Sequence, residues 1–269
     1  MKKSIIKKES AEPGKTLAIF CGVHGNERAG ILAVERAIKE LEIVKGSVYF
    51  VFANPRAIEK NIRFTEKNLN RCFISTNTGD AYEDNRAREL MRLLDECDAL
   101  LDLHSSISSD TKPFIITDNG LELSAKMNFE LIATGFDTVE PGGSDGYMLN
   151  NKKIGLCLEC GYLGASSENS DLAYDSIVQF LQHYNSIEKI NSEHEISQKV
   201  VHVDEVQIVT DDSFQMTRSF ADFETVPAGT VLARDDKNEY KTTKERVVIF
   251  GSAGKPVGAE AYILGDWQK

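Results

Sequence analysis

Short apolar runs alternate with amphipathic segments through most of the chain, and this alternation limits the fold more than any other feature. Residues 16–23, 47–53 and 99–104 are nearly uncharged and rich in Ile, Phe, Val and Leu. Such runs are typical of parallel strands buried on both faces. Residues 28–42 instead carry apolar side chains at helical spacing. The pattern predicts an α/β domain, in which a mostly parallel central sheet has helices on both faces.

The same criteria assign the remaining elements of this region. They predict helices over 81–96, 121–133 and 170–184 and strands over 113–117 and 153–160. Residues 61–80 and 141–146 are polar or rich in glycine and are expected to form loops. A loop as long as 61–80 is usually functional or disordered.

The pattern changes near residues 186–200. Ser192–Glu195 is charged and is expected to be a linker or a helix end. Short alternating apolar runs follow, separated by turns that contain Asp, Gly or Pro. The sequence therefore predicts two domains, residues 1–195 and a small all-β domain of residues 196–269.

Charge and cysteine content exclude several kinds of partner and location. The 269 residues carry a formal net charge of −11, which argues against nucleic acid and anionic membrane surfaces as partners. No apolar run reaches transmembrane length. Five scattered cysteines favour a reducing cytoplasm. The oligomeric state is left open, and a homo-oligomer is one alternative.

A metal site is indicated at the turn that follows the first apolar run. His24 and Glu27 are three residues apart, so both can reach one ion from the same turn. His104 ends another apolar run, and Asp102 lies on the same side of that strand. Asp102 could accept a hydrogen bond from the ring nitrogen that faces away from the metal. Two histidines and one glutamate are a composition of catalytic zinc sites, with a fourth position for water.

Glu159 is the candidate for the catalytic base. It lies near the end of a predicted strand, just before Gly161. Ligands of open parallel sheets bind at the carboxyl ends of strands. The neighbouring Leu158 and Cys160 should raise the pKa of Glu159, which suits a group that takes a proton from water and returns it to an amine.

Two arginines in the loop predict an anionic substrate. Arg63 and Arg71 belong to an acidic protein, and the guanidinium fork matches a carboxylate. Alternatively, one of them polarises the scissile carbonyl and stabilises the oxyanion.

The chain resembles the succinylglutamate desuccinylase/aspartoacylase family of zinc carboxypeptidase-like hydrolases. The resemblance rests on Gly22–Glu27, Asn54–Ala57, Arg63 with Leu69–Arg71, Asp102–His104 and Leu158–Gly161, in this order. It implies one zinc ion on His24, Glu27 and His104, with Glu159 as general base and acid. It also implies Arg63 at the carbonyl and Asn70 with Arg71 at a substrate carboxylate. The β-rich C-terminus is similar in kind to the second domain of this family.

The sequence departs from the family pattern at two places. Asn68 stands where the family often has aspartate. No clear arginine precedes Glu159 where aspartoacylases contact a further substrate carboxylate. Tyr147 and Lys152 are the expected substitutes, together with Lys153, and we assign the first two as candidate substrate contacts.

The function expected from these residues is zinc-dependent hydrolysis of the amide bond of a small, anionic N-acyl amino acid. Two alternatives remain open. One is a metallo-carboxypeptidase that acts on peptides or cell-wall fragments. The other is a zinc-binding module without catalytic activity.

Overall fold

The computed structural model describes residues 3–189 and 196–268. The predicted linker Ser192–Glu195 and the predicted boundary at residue 195 lie outside these ranges. The helices are α1 (Arg28–Glu40), α2 (Pro55–Lys60), α3 (Tyr82–Asp95), α4 (Leu121–Ser124), α5 (Phe136–Val139), α6 (Ser144–Asn150) and α7 (Ser166–His183), with 3-10 turns at Leu69–Arg71 and Leu163–Ala165. The strands are β1 (Ile5–Glu9), β2 (Thr16–Cys21), β3 (Ser47–Phe52), β4 (Ala99–Ser106), β5 (Phe114–Ile116), β6 (Leu131–Thr134), β7 (Ile154–Tyr162), β8 (Lys199–Ile208), β9 (Gln215–Met216), β10 (Glu224–Val226), β11 (Val231–Arg234), β12 (Glu239–Lys241), β13 (Arg246–Ile249) and β14 (Glu260–Trp267).

A single large sheet runs through the molecule. Within the described residues it has 11 strands in the order β1-β3-β2-β4-β7-β5-β6-β8-β14-β13-β10. The neighbours β3, β2, β4 and β7 are parallel to one another. The carboxyl ends of β2, β4 and β7 therefore meet at one edge of the sheet. The predicted fold class is confirmed, with a second, three-stranded antiparallel sheet of β12, β11 and β9.

Helices cover both faces of the parallel strands. Leu17 and Ile19 of β2 face the core that includes residues of α1 and α7. Ala18 and Phe20 point the other way, into the core formed with α3 and α6. This alternation along one strand explains why the run is apolar throughout. Every helix among the described residues is too short or too polar to span a lipid bilayer.

Two of the predicted elements are wrong. The helix expected over 121–133 is only α4, followed by strand β6, which pairs in parallel with β5 and β8. Pairing on both sides buries Ile132 and Ala133 and outweighs local helix propensity. The loop expected over 141–146 ends at Gly143, because helix α6 begins at Ser144.

The C-terminal strands extend the central sheet. Strand β8 pairs with β6 in parallel and with β14 in antiparallel orientation, so strands from both sides of residue 195 share one sheet. Val201, Val203 and Ile263 are fully buried in one cluster with Phe114 and Leu131. The division into two domains at residue 195 remains a prediction.

Truncation after residue 195 should prevent stable folding. It would leave the backbone edge of β6 unpaired and would expose the apolar cluster that β8 and β14 cover. We expect insoluble protein, or soluble protein without a near-UV circular dichroism signal. A soluble monomer with cooperative urea unfolding would show instead that residues 1–195 fold independently.

Candidate active site

The candidate active site lies where three adjacent parallel strands end. His24 follows the end of β2, and His104 lies near the end of β4. Glu159 of β7 is paired directly with His104, so their side chains share one face of the sheet. Beyond this pair a β-bulge shifts the register, and Gly161 takes a φ of 97°. Bulges of this kind frequently orient side chains near active sites.

The turn that carries His24 and Glu27 depends on two glycines. Gly22 has a φ of 64°, a conformation that favours glycine. A Cβ atom at Gly25 would lie 2.1 Å from the carbonyl carbon of Ala57, so no other residue fits there without a backbone shift. Glu27 precedes the first residue of α1 and makes no capping hydrogen bond through its side chain. Its carboxylate is therefore available to the site.

Glu27 lies between the two imidazoles. His24 Nδ1 is 2.7 Å from Glu27 Oε1, and His104 Nδ1 is 3.2 Å from Glu27 Oε2. The three side chains are almost completely buried, and one donor atom from each lies within 4.8 Å of the others. The ring centroids of the histidines are 5.1 Å apart. The geometry thus brings together the three residues expected as metal ligands.

The outer nitrogens of both rings face polar side chains, and that of His24 makes a hydrogen bond. His24 Nε2 lies 2.9 Å from Asn68 Oδ1, which also accepts a hydrogen bond from the backbone N–H of Asn70. His104 Nε2 lies 3.2 Å from Asp102 Oδ2, to which the Ser144 hydroxyl also donates. Since Asn68 Oδ1 acts as an acceptor, the hydrogen-bond network assigns the His24 proton to Nε2. The lone pair of His24 Nδ1 then faces Glu27.

This arrangement fits a metal ion. Two facing acceptors 2.7 Å apart require either a proton or a cation between them. Burial lowers the pKa of His24, which disfavours the proton. Burial alone would raise the pKa of Glu27, but the two histidines outweigh this effect and hold its pKa below the usual range. Two imidazoles and an ionised carboxylate are a donor set that suits zinc.

Glu159 combines partial exposure with a buried, unpaired oxygen. The residue is partly accessible, whereas its Oε2 atom is buried and has no hydrogen-bond partner among the described residues. Burial, followed by the negative charge of Glu27, raises the pKa of Glu159 to about 8. A carboxylate in this environment binds a proton readily, which is the property required of a proton carrier.

Two of the predicted cations lie near the site, and both have partners within the chain. Arg63 Nη1 is 3.2 Å from Glu27 Oε1, while its side chain is 43% exposed. Arg71 forms an ion pair with Glu140, and its Nη1 donates to the carbonyl of Asn70 at 2.8 Å. Asn70 Oδ1 is buried and finds no partner among the described residues.

Tyr147 and Lys152 are not brought to this cluster. The Tyr147 hydroxyl donates to Asp95 Oδ1 at 2.7 Å, and Asp95 ends α3 shortly before β4 begins. Lys152 is exposed and precedes the first residue of β7. Both residues therefore lie toward the amino ends of the strands, opposite the edge that carries His104. The reason is the direction of α6, which leads from the site edge back to the start of β7.

Two residues that stabilise the site had no role predicted from the sequence. Asn68 was noted only as a departure from the family pattern, yet it contacts His24 and caps the 3-10 turn. Glu83 is fully buried and accepts hydrogen bonds from the Asn54 side chain, the Thr65 hydroxyl and the backbone N–H groups of Thr65, Glu66 and Lys67. It anchors the loop between Arg63 and Asn68. A glutamate in the first turn of a helix gives no sequence signal of this role.

Fold and site together define an α/β protein with a buried His–Glu–His cluster, able to hold a metal ion, at the carboxyl edge of its parallel strands. The family model of the succinylglutamate desuccinylase/aspartoacylase catalytic domain matches residues 13–183, and the chain belongs to this family. Both activities in the family name hydrolyse an amide bond, and the chain is accordingly a hydrolase of this class.

Individual relatives agree with this assignment. The chain is 28% identical to a probable aspartoacylase from Nostoc sp., over 65% of this chain and 68% of the relative. It is 24% identical to a succinylglutamate desuccinylase from Pseudoalteromonas atlantica, over 93% and 80% of the two chains. The crystal structure of succinylglutamate desuccinylase from Vibrio cholerae superposes with a TM-score of 0.82 at 18% identity, covering 98% of this chain and 85% of the other.

Glu83→Gln should destabilise the protein by loosening the loop that it anchors. In the parent protein, backbone N–H groups donate to a carboxylate oxygen of Glu83. The substitution places an amide NH₂, itself a donor, against them. We expect the free energy of unfolding to fall by about 2 kcal/mol, the usual cost of leaving buried polar groups unpaired. Urea denaturation measures the loss, with the exposed Glu59→Gln as the matched control. Equal stability of the two variants would contradict the anchoring role.

Proposed function

We propose that the chain is a zinc-dependent amidohydrolase that cleaves a small N-acyl amino acid at the edge formed by β2, β4 and β7. The observation that carries the proposal is the geometry around Glu27, whose two oxygens face His24 Nδ1 and His104 Nδ1. Glu159 lies on the neighbouring strand, in register with His104. This arrangement supports a ligand set and a proton carrier at one edge of the sheet.

A zinc ion held by His24, Glu27 and His104 would polarise the acyl carbonyl and make a water molecule more acidic. The chain's own residues then divide the remaining work. Glu159 accepts the proton of the attacking water and afterwards delivers it to the departing amine, so the same oxygen acts first as base and then as acid. The pKa of Glu159, raised to about 8, keeps both its ionised and its protonated form accessible near neutral pH, as a group that first takes and then returns a proton requires.

Arg63 is assigned to the acyl carbonyl. Its Nη1 lies 3.2 Å from Glu27 Oε1, and its side chain remains 43% exposed, so it stays accessible to a ligand. Donors preorganised around a carbonyl oxygen stabilise the charge that develops on this oxygen. Asn70 and Arg71 are assigned to a carboxylate of the substrate, for which the fork geometry of Arg71 is suited.

The relatives support the substrate class. The named relatives are succinylglutamate desuccinylases and a probable aspartoacylase. An N-acyl amino acid offers the features for which this site has partners: an acyl carbonyl, an amine that leaves with a proton, and a carboxylate. The acyl group and the amino acid are to be determined with a panel of N-acetyl and N-succinyl amino acids and dipeptides.

Glu159→Gln separates metal binding from proton transfer. The amide cannot accept a proton from water, so kcat for the best substrate of the panel should fall by a factor on the order of 10²–10⁴. Zinc content, measured by plasma emission spectrometry, should stay at one ion per chain, since Glu159 is not a ligand. The isosteric control is Glu168→Gln, at an exposed position of α7.

Two results would contradict this assignment. Turnover within a few-fold of the parent protein would remove Glu159 from the reaction. Loss of zinc together with turnover would place Glu159 among the ligands instead. The Glu168→Gln control should match the parent in both measurements.

A further inference from the structure

A buried serine and a buried aspartate lie on the side of His104 that faces away from Glu27. Ser144 and Asp102 are completely buried. The Ser144 hydroxyl donates a hydrogen bond to Asp102 Oδ2, and the same oxygen lies 3.2 Å from His104 Nε2. Asp102 Oδ1 is buried without a partner among the described residues. One oxygen of Asp102 therefore faces both the serine and the outer nitrogen of the imidazole.

The strand explains why Asp102 and His104 face the same way. They are two residues apart on β4, so their side chains share one face of the sheet. Leu101 and Leu103 point to the opposite face, into the core that includes residues of α1 and α7. Asp102 is thus a buried carboxylate in an apolar strand, which is costly unless neighbouring groups compensate it. The Ser144 hydroxyl is one such group.

The start of α6 is fixed over this face by its close approach to β7. Gly155 pairs with Leu100 of β4, two residues before Asp102, so a side chain at Gly155 would point to the face of Asp102. A Cβ atom at this position would lie 2.6 Å from the carbonyl oxygen of Asp145. The absence of a side chain at Gly155 lets the backbone of α6 come this near, and it brings Ser144 next to Asp102.

The chain just before Ser144 is held on its other side by the loop of Arg71. The carbonyl of Gly142 accepts from the N–H of Phe73 at 3.1 Å. Gly142 has a φ of 95°, and a Cβ atom there would lie 2.8 Å from the carbonyl carbon of Arg71. Contacts with β7 on one side and with this loop on the other fix the position of Ser144. Its hydroxyl is consequently a preorganised donor to Asp102.

We propose that Ser144 is a positioning residue for the metal site: its hydroxyl holds the Asp102 carboxylate against His104 and so fixes the imidazole for metal binding. The inference rests on the proposed function, because it takes His104 as a zinc ligand. A metal-bound histidine usually donates its other ring N–H to a carboxylate or carbonyl, which orients the ring and makes it a better ligand. Without the serine, Asp102 Oδ2 loses its donor in a completely buried environment, and the carboxylate is free to rotate away from His104.

Ser144→Ala tests this role through zinc affinity, measured on the full chain by competition with a chromogenic chelator. Substitution of a group that orients a metal-bound histidine costs about 10–100-fold in metal affinity. Ser144 acts one step further from the metal, so we expect the zinc Kd to rise by about tenfold, the lower end of that range.

Ser176→Ala is the matched control. Ser176 is 1% exposed, and its hydroxyl donates to the carbonyl of Leu172 within α7. Both variants lose one hydrogen bond of a buried serine, so a general loss of stability would affect them alike. The zinc Kd of Ser176→Ala should equal that of the parent protein.

Asp102→Asn shows whether Ser144 acts through the carboxylate. In the Asp102→Asn background, Ser144→Ala should raise the zinc Kd by no more than about twofold, because the charged oxygen that the serine holds is already absent. Ser144→Cys keeps a side chain of similar shape with a weaker donor, so its Kd should lie between those of the parent and Ser144→Ala. It takes the place of the alanine variant in the cycle if that variant does not fold.

The inference and the proposed function fail in different ways. An unchanged zinc Kd in Ser144→Ala would overturn the inference and leave the hydrolase function intact. An equally large effect of Ser144→Ala in the Asp102→Asn background would overturn it too, since the serine would then act by another route. A parent protein that binds no zinc, or whose Kd is unchanged by His104→Ala, would overturn the proposed function and the inference together. A zinc-loaded parent that hydrolyses no N-acyl amino acid would overturn the proposed reaction alone.

Discussion

The contact of one carboxylate with two imidazoles determines what the rest of this site can do. Glu27 is almost fully buried, and both of its oxygens face histidine nitrogens. A buried carboxylate is costly unless its charge is compensated, and here the compensating groups are themselves ligand atoms. Asn68 makes a hydrogen bond with the outer nitrogen of His24, and Asp102 lies 3.2 Å from that of His104. Arg63 and the backbone N–H of Ser105 also contact the Glu27 carboxylate. The facing atoms of His24 and Glu27 still require a proton or a metal ion between them.

The elements around this cluster determine where its side chains lie. Parallel pairing of β2, β4 and β7 brings His24, His104 and Glu159 to one edge of the sheet although they are far apart in sequence. The close approach of Gly25 to Ala57 fixes the turn of His24 and Glu27, and Glu83 fixes the loop that bears Arg63. The C-terminal strands continue the same sheet, and Glu260 of β14 forms an ion pair with Lys255.

The sequence predicts those parts of the site that depend on local pattern. A polar residue at the end of an apolar strand is visible in the sequence. This pattern alone assigns His104 and Glu159 to the carboxyl edge of the sheet. The family match confirms the resemblance seen in the sequence, and the sheet order confirms the α/β fold. Residues whose roles depend on distant partners were not predictable: the contacts of Asn68 with His24 and of Glu140 with Arg71 join separate loops.

Two errors have a common physical origin. Tyr147 and Lys152 were placed near Glu159 because they are close to it in sequence. Both instead lie toward the amino ends of the strands, because α6 leads away from the site and β7 begins there. The segment 121–133 has helical spacing, yet its last part is a strand because β5 and β8 offer partners on both sides. In each case the direction or pairing of an element, which no local pattern contains, decided the outcome.

The most direct test of the central claim is anomalous diffraction at the zinc absorption edge from crystals grown with zinc. The account predicts one anomalous peak per chain, in contact with His24 Nδ1, His104 Nδ1 and the carboxylate of Glu27. Absence of a peak at this position, or a peak coordinated by other residues, would contradict it.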